Sequence, residues 1–361
     1  MGGNRSQKMK SFSHNIKVLY HGERNSYKFL RWDAVGQELN FLSRHFGNLI
    51  FGYVTPLTRY LFYFALRLPP FLESLYFHRV IALDKKVDLH HVFYPHLHNF
   101  RYFRQLKKPI VYSSVARRMG HPSDKKLVAT AKKMPHVNFF AVACREDKRT
   151  LLREGIQNVE IVLPGINLKK FSKLPFNSKP QKILLMGTSP LNPEKFKNRG
   201  INLILDILKK LPDLKVIFLW RGIAYKEMLQ LVKKEGLENQ VEIINQLVKP
   251  EEYLEKSAGA IATFMETKGN KAYPNSIIES LAAGRPVIVS TVMPIAEIVK
   301  KNNCGVVVKP DPESLFKGVQ EYFQNYQKLA KNCCKTATLF SEERLLKDYQ
   351  NIYQKVLCKN H

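Results

Sequence analysis

Residues 270–300 read NKAYPNSIIESLAAGRPVIVSTVMPIAEIVK, and the order of residue types in this stretch decides the fold. A polar loop over 270–275 leads into a short apolar helix that starts at Ser276 and runs to about Ala283; Gly284 stops it and Pro286 keeps it stopped. The apolar run Val287 to Ser290 is a buried strand, and a second turn opens another helix from Pro294. Pro274, Asn275 and Ser276 put a cap and free amides at a helix N-terminus, where anions are stabilised. Glu279 follows within one turn. An anionic ligand at this loop meets backbone donors first and Glu279 beside them; the plain alternative is an αβ unit with ordinary capping.

Working outward, 361 residues suffice for two domains with separate cores, and a hydrophobic fraction of 45% argues against disorder. Lys and Arg number 58 against 30 acidic residues, and the excess is uneven: 31 basic against 11 acidic residues in 1–180, and 27 against 19 in the rest. Such a surface attracts nucleic acid, anionic lipid or phosphorylated substrates. Five scattered cysteines (144, 304, 333, 334, 358) have no metal spacing, and the polar first fourteen residues resemble a loose tail. Both features point to a reduced, intracellular protein.

The N-terminal half alternates strands with helices: NIKVLY (15–20), a helix over 32–44, a strand over 48–53, VDLHHVFY (87–94), IVYS (110–113), a strand over 137–144 and one over 159–163. Residues 56–77, PLTRYLFYFALRLPPFLESLYF, hold four Phe, three Tyr and six Leu, with Arg59, Arg67 and Glu73. The charges and Pro69-Pro70 keep the stretch short of 18 uncharged residues, which argues against a spanning helix. Two shorter pieces fit, either interfacial at a headgroup layer or packed in the core, and the basic half favours the membrane. Residues 169–181, with their prolines, serines and lysines, read as a linker. Beyond it come ILLMG (183–187), a helix from Arg199-Gly200, strands over 214–219, 241–244, 260–264 and 305–308, helices over 225–235, 250–257 and 312–324, and a last helix over 341–357.

The 270–300 constellation resembles the donor-site signature of the retaining glycosyltransferases of GT-B architecture, the group 1 or family 4-like enzymes. The fold this implies is α/β, with two Rossmann-like domains facing each other across a cleft. Residues 1–175 would form an acceptor and membrane-facing domain joined by the C-terminal helix 341–358, and residues 181–340 the nucleotide-sugar donor domain. By the resemblance, Glu279 binds ribose hydroxyls, and Asn275, Ser276 and Ile277 offer amides to a diphosphate. The family's other glutamate falls at Lys271; this lysine faces a phosphate or an acidic sugar, or the loop is offset so that Glu266 serves. Arg199 matches the basic residue that supports the diphosphate. The family's arginine after the strand glycine is Thr188 here, and Lys195 and Lys197 are candidates for the missing charge. The loop Gln246 to Val248 is implied to lie against the base. The strand 87–94 resembles the family's aspartate-hydrophobic-histidine strand, which puts His90 or His91 near the acceptor as a proton carrier, with His121 a third candidate. The alternative for each is a hydrogen-bonded strand-end residue. The last helix is implied to cross back onto the N-terminal domain.

The reaction implied is sugar transfer from a UDP- or GDP-sugar with retained configuration, with no permanently bound cofactor and with basic groups in place of a metal ion. Expected partners are a lipid-linked glycan acceptor, an anionic membrane surface and other glycan-assembly proteins. The expected location is cytoplasmic, peripheral on the inner face of the cytoplasmic membrane. A nucleic-acid-binding protein, another enzyme acting on sugar nucleotides and a non-catalytic GT-B subunit are the competing classes.

Overall fold

The structure is a computed structural model, and it describes residues 16–22, 34–46, 49–52, 77–94, 97, 99–114, 129, 131–176, 178–187, 193–220, 224–266 and 271–358. Its contacts divide the chain into two compact units, Met1–Gly165 with Glu342–His361, and Ile166–Ser341. The boundary falls at residue 165, ahead of the polar stretch 169–181, and the second crossing falls at the start of the last helix.

In the first unit, β1 (Val18–Gly22), α1 (Ala34–Phe46), β2 (Leu49–Gly52), α2 (His78–Leu83), β3 (Leu89–Tyr94), β4 (Ile110–Ser114), β5 (Val137–Val142), α3 (Arg145–Arg153) and β6 (Val159–Ile161) follow in sequence. The strands form one parallel sheet in the order β2-β1-β3-β4-β5-β6. Every residue of β1, β3 and β4 is buried. That is the reason these strands read as continuous apolar runs instead of alternating ones: helices cover both faces of a parallel sheet. Alternate residues still part company. Val18 and Tyr20 join a core with Leu39, Leu42 and Phe46 of α1, whereas Leu19 joins the opposite one with Val80, Tyr102 and Tyr112.

The second unit runs β7 (Ile183–Met186), α4 (Lys195–Asn198), α5 (Ile201–Leu208), β8 (Lys215–Leu219), α6 (Tyr225–Lys234), β9 (Val241–Ile244), α7 (Pro250–Lys256), β10 (Gly259–Ala262), α8 (Asn275–Ala282), β11 (Val287–Ser290), α9 (Ile295–Asn302), β12 (Gly305–Val308), α10 (Pro312–Gln324), α11 (Tyr326–Ala330) and α12 (Cys333–Ala337). Its sheet, also parallel, has the order β12-β11-β10-β7-β8-β9. The chain starts in the middle, winds outward on one side, and returns to wind outward on the other. The reversal lies between β7 and β10, and in open sheets of this kind ligands bind outside the carboxyl ends of the strands at that point.

The last helix, α13 (Glu342–Cys358), returns to the first unit. Leu345, Tyr349, Ile352, Tyr353 and Val356, spaced three and four apart, pack into the core that holds Val18 and Tyr20. No helix among the described residues is long and apolar enough to cross a membrane. Of the aromatic stretch 56–77 only Phe77 lies within the described residues, and it is buried.

Candidate functional site

The carboxyl ends of β7 and β10 bring together Gly187, the Arg199-Gly200 turn, Thr263-Phe264 and the start of α8. Gly187 is where β7 ends against α8: a Cβ there would sit 2.6 Å from the Ser276 Cβ. Gly200 has φ +70, and a Cβ on it would lie 2.0 Å from the Thr263 carbonyl oxygen. Both positions require glycine, and both do so because backbone is drawn in close around the switch point.

Helix α8 starts one residue earlier than the sequence suggested. Pro274 occupies the cap position in an extended conformation (φ −63, ψ 135), and no side chain caps the helix. Ser276 is therefore not the cap but the second helical residue. The Asn275 side chain is occupied elsewhere, since its Oδ1 accepts from Lys271 Nζ at 2.7 Å. The Ile277 N–H donates to the Pro274 carbonyl at 3.1 Å, so of the three amides expected to face a diphosphate this one is spent within the first turn. The N–H groups of Asn275 and Ser276 donate to no described residue. Open amides at the positive end of a helix are an anion site.

Arg199 lies at the end of α4, its guanidinium carbon 4.8 Å from the centre of the Phe264 ring. Its Nε and Nη1 are buried and have no hydrogen-bond partner among the described residues. Burial pushes its pKa down to about 10, so it remains a cation at neutral pH. A half-buried guanidinium stacked on an aromatic ring, with donors unmet, is costly for the protein alone and suited to a phosphate.

Glu279, one turn into α8, is half-buried. Burial pushes its pKa up to about 7, with Glu251 adding to the rise, while Lys271 and Lys170 oppose it. It is thus balanced between an acceptor-only carboxylate and a neutral acid near physiological pH. Lys271 belongs to this group, and Glu266 accepts from Asn198 Nδ2 at 2.6 Å. Lys195 and Lys197 are exposed on α4, on either side of the buried Phe196. Gln246 is exposed in the loop after β9. Thr188 and His121 lie outside the described residues.

The histidines are placed otherwise than expected. They stand at the start of β3, not at its end, and both rings are fully buried. His91 makes hydrogen bonds with the Tyr353 hydroxyl through Nδ1 and with Ser113 Oγ, 2.7 Å away, through Nε2; Ser113 Oγ in turn is 2.8 Å from the Tyr349 hydroxyl. His90 belongs to a chain on the opposite face of the sheet. Burial opposes the Asp84 carboxylate, but the His90 ring and the amides of Lys108 and Lys107 outweigh it and hold its pKa below the usual range. His90 Nε2 then donates to Asp84 at 2.8 Å, so its Nδ1 must accept from His21 Nε2 at 2.9 Å, and His21 Nδ1 accepts from the Tyr102 hydroxyl at 3.0 Å. Burial holds the pKa of all three imidazoles below the usual value. Proton carriers must reach their substrate, and the hydrogen bonds that hold these rings run to other buried side chains. The expectation of accessible rings near an acceptor is corrected accordingly: His90 and His91 are the hydrogen-bonded alternative, buried within the sheet.

One residue of this neighbourhood escaped the sequence altogether. Glu251 in the first turn of α7 looks like an ordinary acidic residue after Pro250, but its Oε2 is buried without a hydrogen-bond partner. The only signal was its closeness to Glu279, which is tertiary.

Residues 168–340 match the family model described as glycosyl transferases group 1. That span is nearly the whole second unit. No curated protein matches the chain. Among solved structures it is similar to HepE of Anabaena in complex with UDP, with 13% identity, TM-score 0.72, and coverage of 94% of this chain and 100% of that one. It is likewise similar to sucrose-phosphate synthase from Thermosynechococcus elongatus, with 14% identity, TM-score 0.74, and coverage of 96% and 100%. A glycosyltransferase from Rickettsia africae matches with 16% identity, TM-score 0.73, and coverage of 95% and 99%. Likeness at such identities is one of fold, and the fold is that of the GT-B glycosyltransferases, with two parallel-sheet Rossmann-like units.

Proposed function

We propose that this protein transfers a sugar from a UDP- or GDP-sugar to an acceptor, with retention of configuration and without a metal ion. The observation that carries the reading is the set of unmet donors at the β7–β10 switch: the amides of Asn275 and Ser276 and the Arg199 guanidinium. The match of 168–340 to glycosyl transferases group 1 supports glycosyl transfer as the reaction.

As the glycosidic bond breaks, negative charge gathers on the departing diphosphate, and donors already fixed in place stabilise it without reorganising. Arg199 and the two amides take that part, and Lys271 adds a cation next to them. Lys195 and Lys197 extend the positive field along α4, and Thr188 adds a hydroxyl directly after Gly187. Glu279 accepts from the ribose hydroxyls, and Gln246 lies against the base. These cations do the work a divalent ion would otherwise do.

The acceptor proposed is a lipid-linked glycan, reached from a peripheral position on the anionic inner face of the cytoplasmic membrane. The 31 basic against 11 acidic residues of 1–180 support this, as does the aromatic composition of 56–77. Thermal shift in EDTA against UDP- and GDP-sugars tests the donor site, because a ligand that binds only the folded protein raises its midpoint. The expected result is a rise with at least one of them, and transfer of its sugar with the donor's anomeric configuration kept. Binding or turnover that strictly requires a divalent ion would remove the metal-free mechanism. Sedimentation with anionic but not neutral vesicles is expected, weakened by polar replacements at Phe62, Phe64 and Leu68; absence of binding by the parent ends the membrane proposal.

A further inference from the structure

We infer that Glu251 reads the base of the donor nucleotide and selects guanine over uracil and adenine. The inference rests on the donor-site reading above and deepens it. Helix α7 starts directly after the loop at the carboxyl end of β9, and its first turn carries two neighbouring carboxylates that are used differently. Glu252 is exposed and pairs with exposed Lys249 at 3.5 Å. Glu251 is half-buried, its Oε2 has no hydrogen-bond partner among the described residues, and its charge adds to the upward push on Glu279. Helix α7 packs against α8.

A nucleoside diphosphate laid along these groups has a fixed order: phosphates at the first amides of α8, ribose at Glu279, and base beyond the ribose. Glu251, with its buried Oε2 unmet among the described residues, stands in the first turn of the helix that packs against α8. The adjoining loop offers a surface for the flat face of a ring, since Leu247 is 48% exposed. What remains is the edge of the base. A carboxylate oxygen removed from water without a partner is unfavourable, and two adjacent N–H donors satisfy a carboxylate in a bidentate pair. Guanine presents that edge, with N1–H beside the exocyclic N2 amine. Uracil presents N3–H between two carbonyl oxygens, and adenine an amine beside a bare ring nitrogen, so each brings a lone pair against the carboxylate. A site built to hydrogen-bond one group rejects analogues that lack it, because its own polar atoms are left unpaired.

Calorimetric titration of the full chain with GDP, UDP and ADP tests this. GDP is expected to bind tighter than either of the others by about 100-fold or more. Glu251→Gln, which replaces one acceptor oxygen by a donor, is expected to erase the preference by weakening GDP while leaving UDP nearly unchanged. Glu252→Gln is expected to change neither. UDP or ADP binding as tightly as GDP in the parent overturns the assignment to guanine and leaves the donor site standing. GDP affinity unchanged in folded Glu251→Gln overturns the role of this residue, and the parent's own order of affinities decides the matter should that variant fail to fold. Failure of all three nucleotides to bind overturns the donor-site reading and this inference with it.

Discussion

The two units have related sheets, and the buried polar groups around β1 and β3 of the first differ from those at the β7–β10 switch of the second. At β1 and β3 of the first unit, Asp84, His90, His21 and Tyr102 form one continuous chain, and His91, Ser113, Tyr349, Tyr353 and Tyr20 form another. These groups find partners inside the unit. Around the carboxyl ends of β7 and β10, the guanidinium of Arg199 and two amides of α8 are left without partners, and so is an oxygen of Glu251 on α7. Satisfied networks fix a core and are costly to disturb, whereas unmet groups cost the free protein stability that a ligand can return. On the function proposed above, the unmet groups of the second unit serve the chemistry, and the hydrogen-bonded histidines of the first serve the packing of its sheet.

The widest break in this comparison is at Arg199. Arg199→Ala is expected to weaken nucleoside-diphosphate binding and transfer about 100-fold or more, ~3 kcal/mol, while the thermal midpoint stays within about 2 °C of the parent. A folded variant with near-normal turnover would mean that the unmet donors are not where the leaving group is held. His91→Ala should do the reverse. Removing the ring leaves Ser113 and Tyr353 short of a partner in a sealed core, at a cost of about 2–4 kcal/mol in stability measured by denaturant unfolding. Nucleotide affinity is expected to change little, since the two places share no partners. A stable His91→Ala that binds nucleotide but no longer transfers sugar would return the histidine to the chemistry.

Much of this was legible before any coordinates. The strands Val241–Ile244, Val287–Ser290 and Gly305–Val308 and the helix Pro312–Gln324 have the limits their apolar runs and breakers indicate, because glycine, proline and helix periodicity act locally. The Asn275–Ser276 mouth was legible for the same reason. Its details were not. With Pro274 at the cap the helix starts at Asn275 and not at Ser276, and Lys271 holds the Asn275 side chain through a contact four residues back. His90 and His91 misled because an apolar strand with two histidines reads the same whether the imidazoles face a ligand or a ring of tyrosines. Those tyrosines lie more than two hundred residues away, on α13. Glu251 was invisible because nothing in Pro-Glu-Glu-Tyr distinguishes the carboxylate that pairs with a lysine from the one that does not.

The smallest expected effect sharpens the comparison by pH. Burial keeps a proton on Glu279 up to about pH 7 in the folded protein, whereas the unfolded chain releases it near 4.5. Unfolding therefore releases a proton between those values, and stability falls as pH rises through this window, by at most ~1.4 kcal/mol per unit. The imidazoles of His21, His90 and His91 act at the other end. Burial holds their pKa below 6.5, so the unfolded chain takes up protons that the fold refuses, and stability falls as pH drops below 6.5. Glu279→Gln should flatten the slope between pH 5 and 7 and leave the acid-side loss in place, as read from urea midpoints across the range. Ribose hydroxyls donating to Glu279 favour its ionised form, so nucleotide affinity in the parent should rise with pH toward 7 and level off above it, with proton release visible in titrations run in buffers of different ionisation enthalpy. An unchanged pH slope in Glu279→Gln would place the titrating group elsewhere, and the carboxylate would then lose its standing as the acid of the second unit that waits for a ligand.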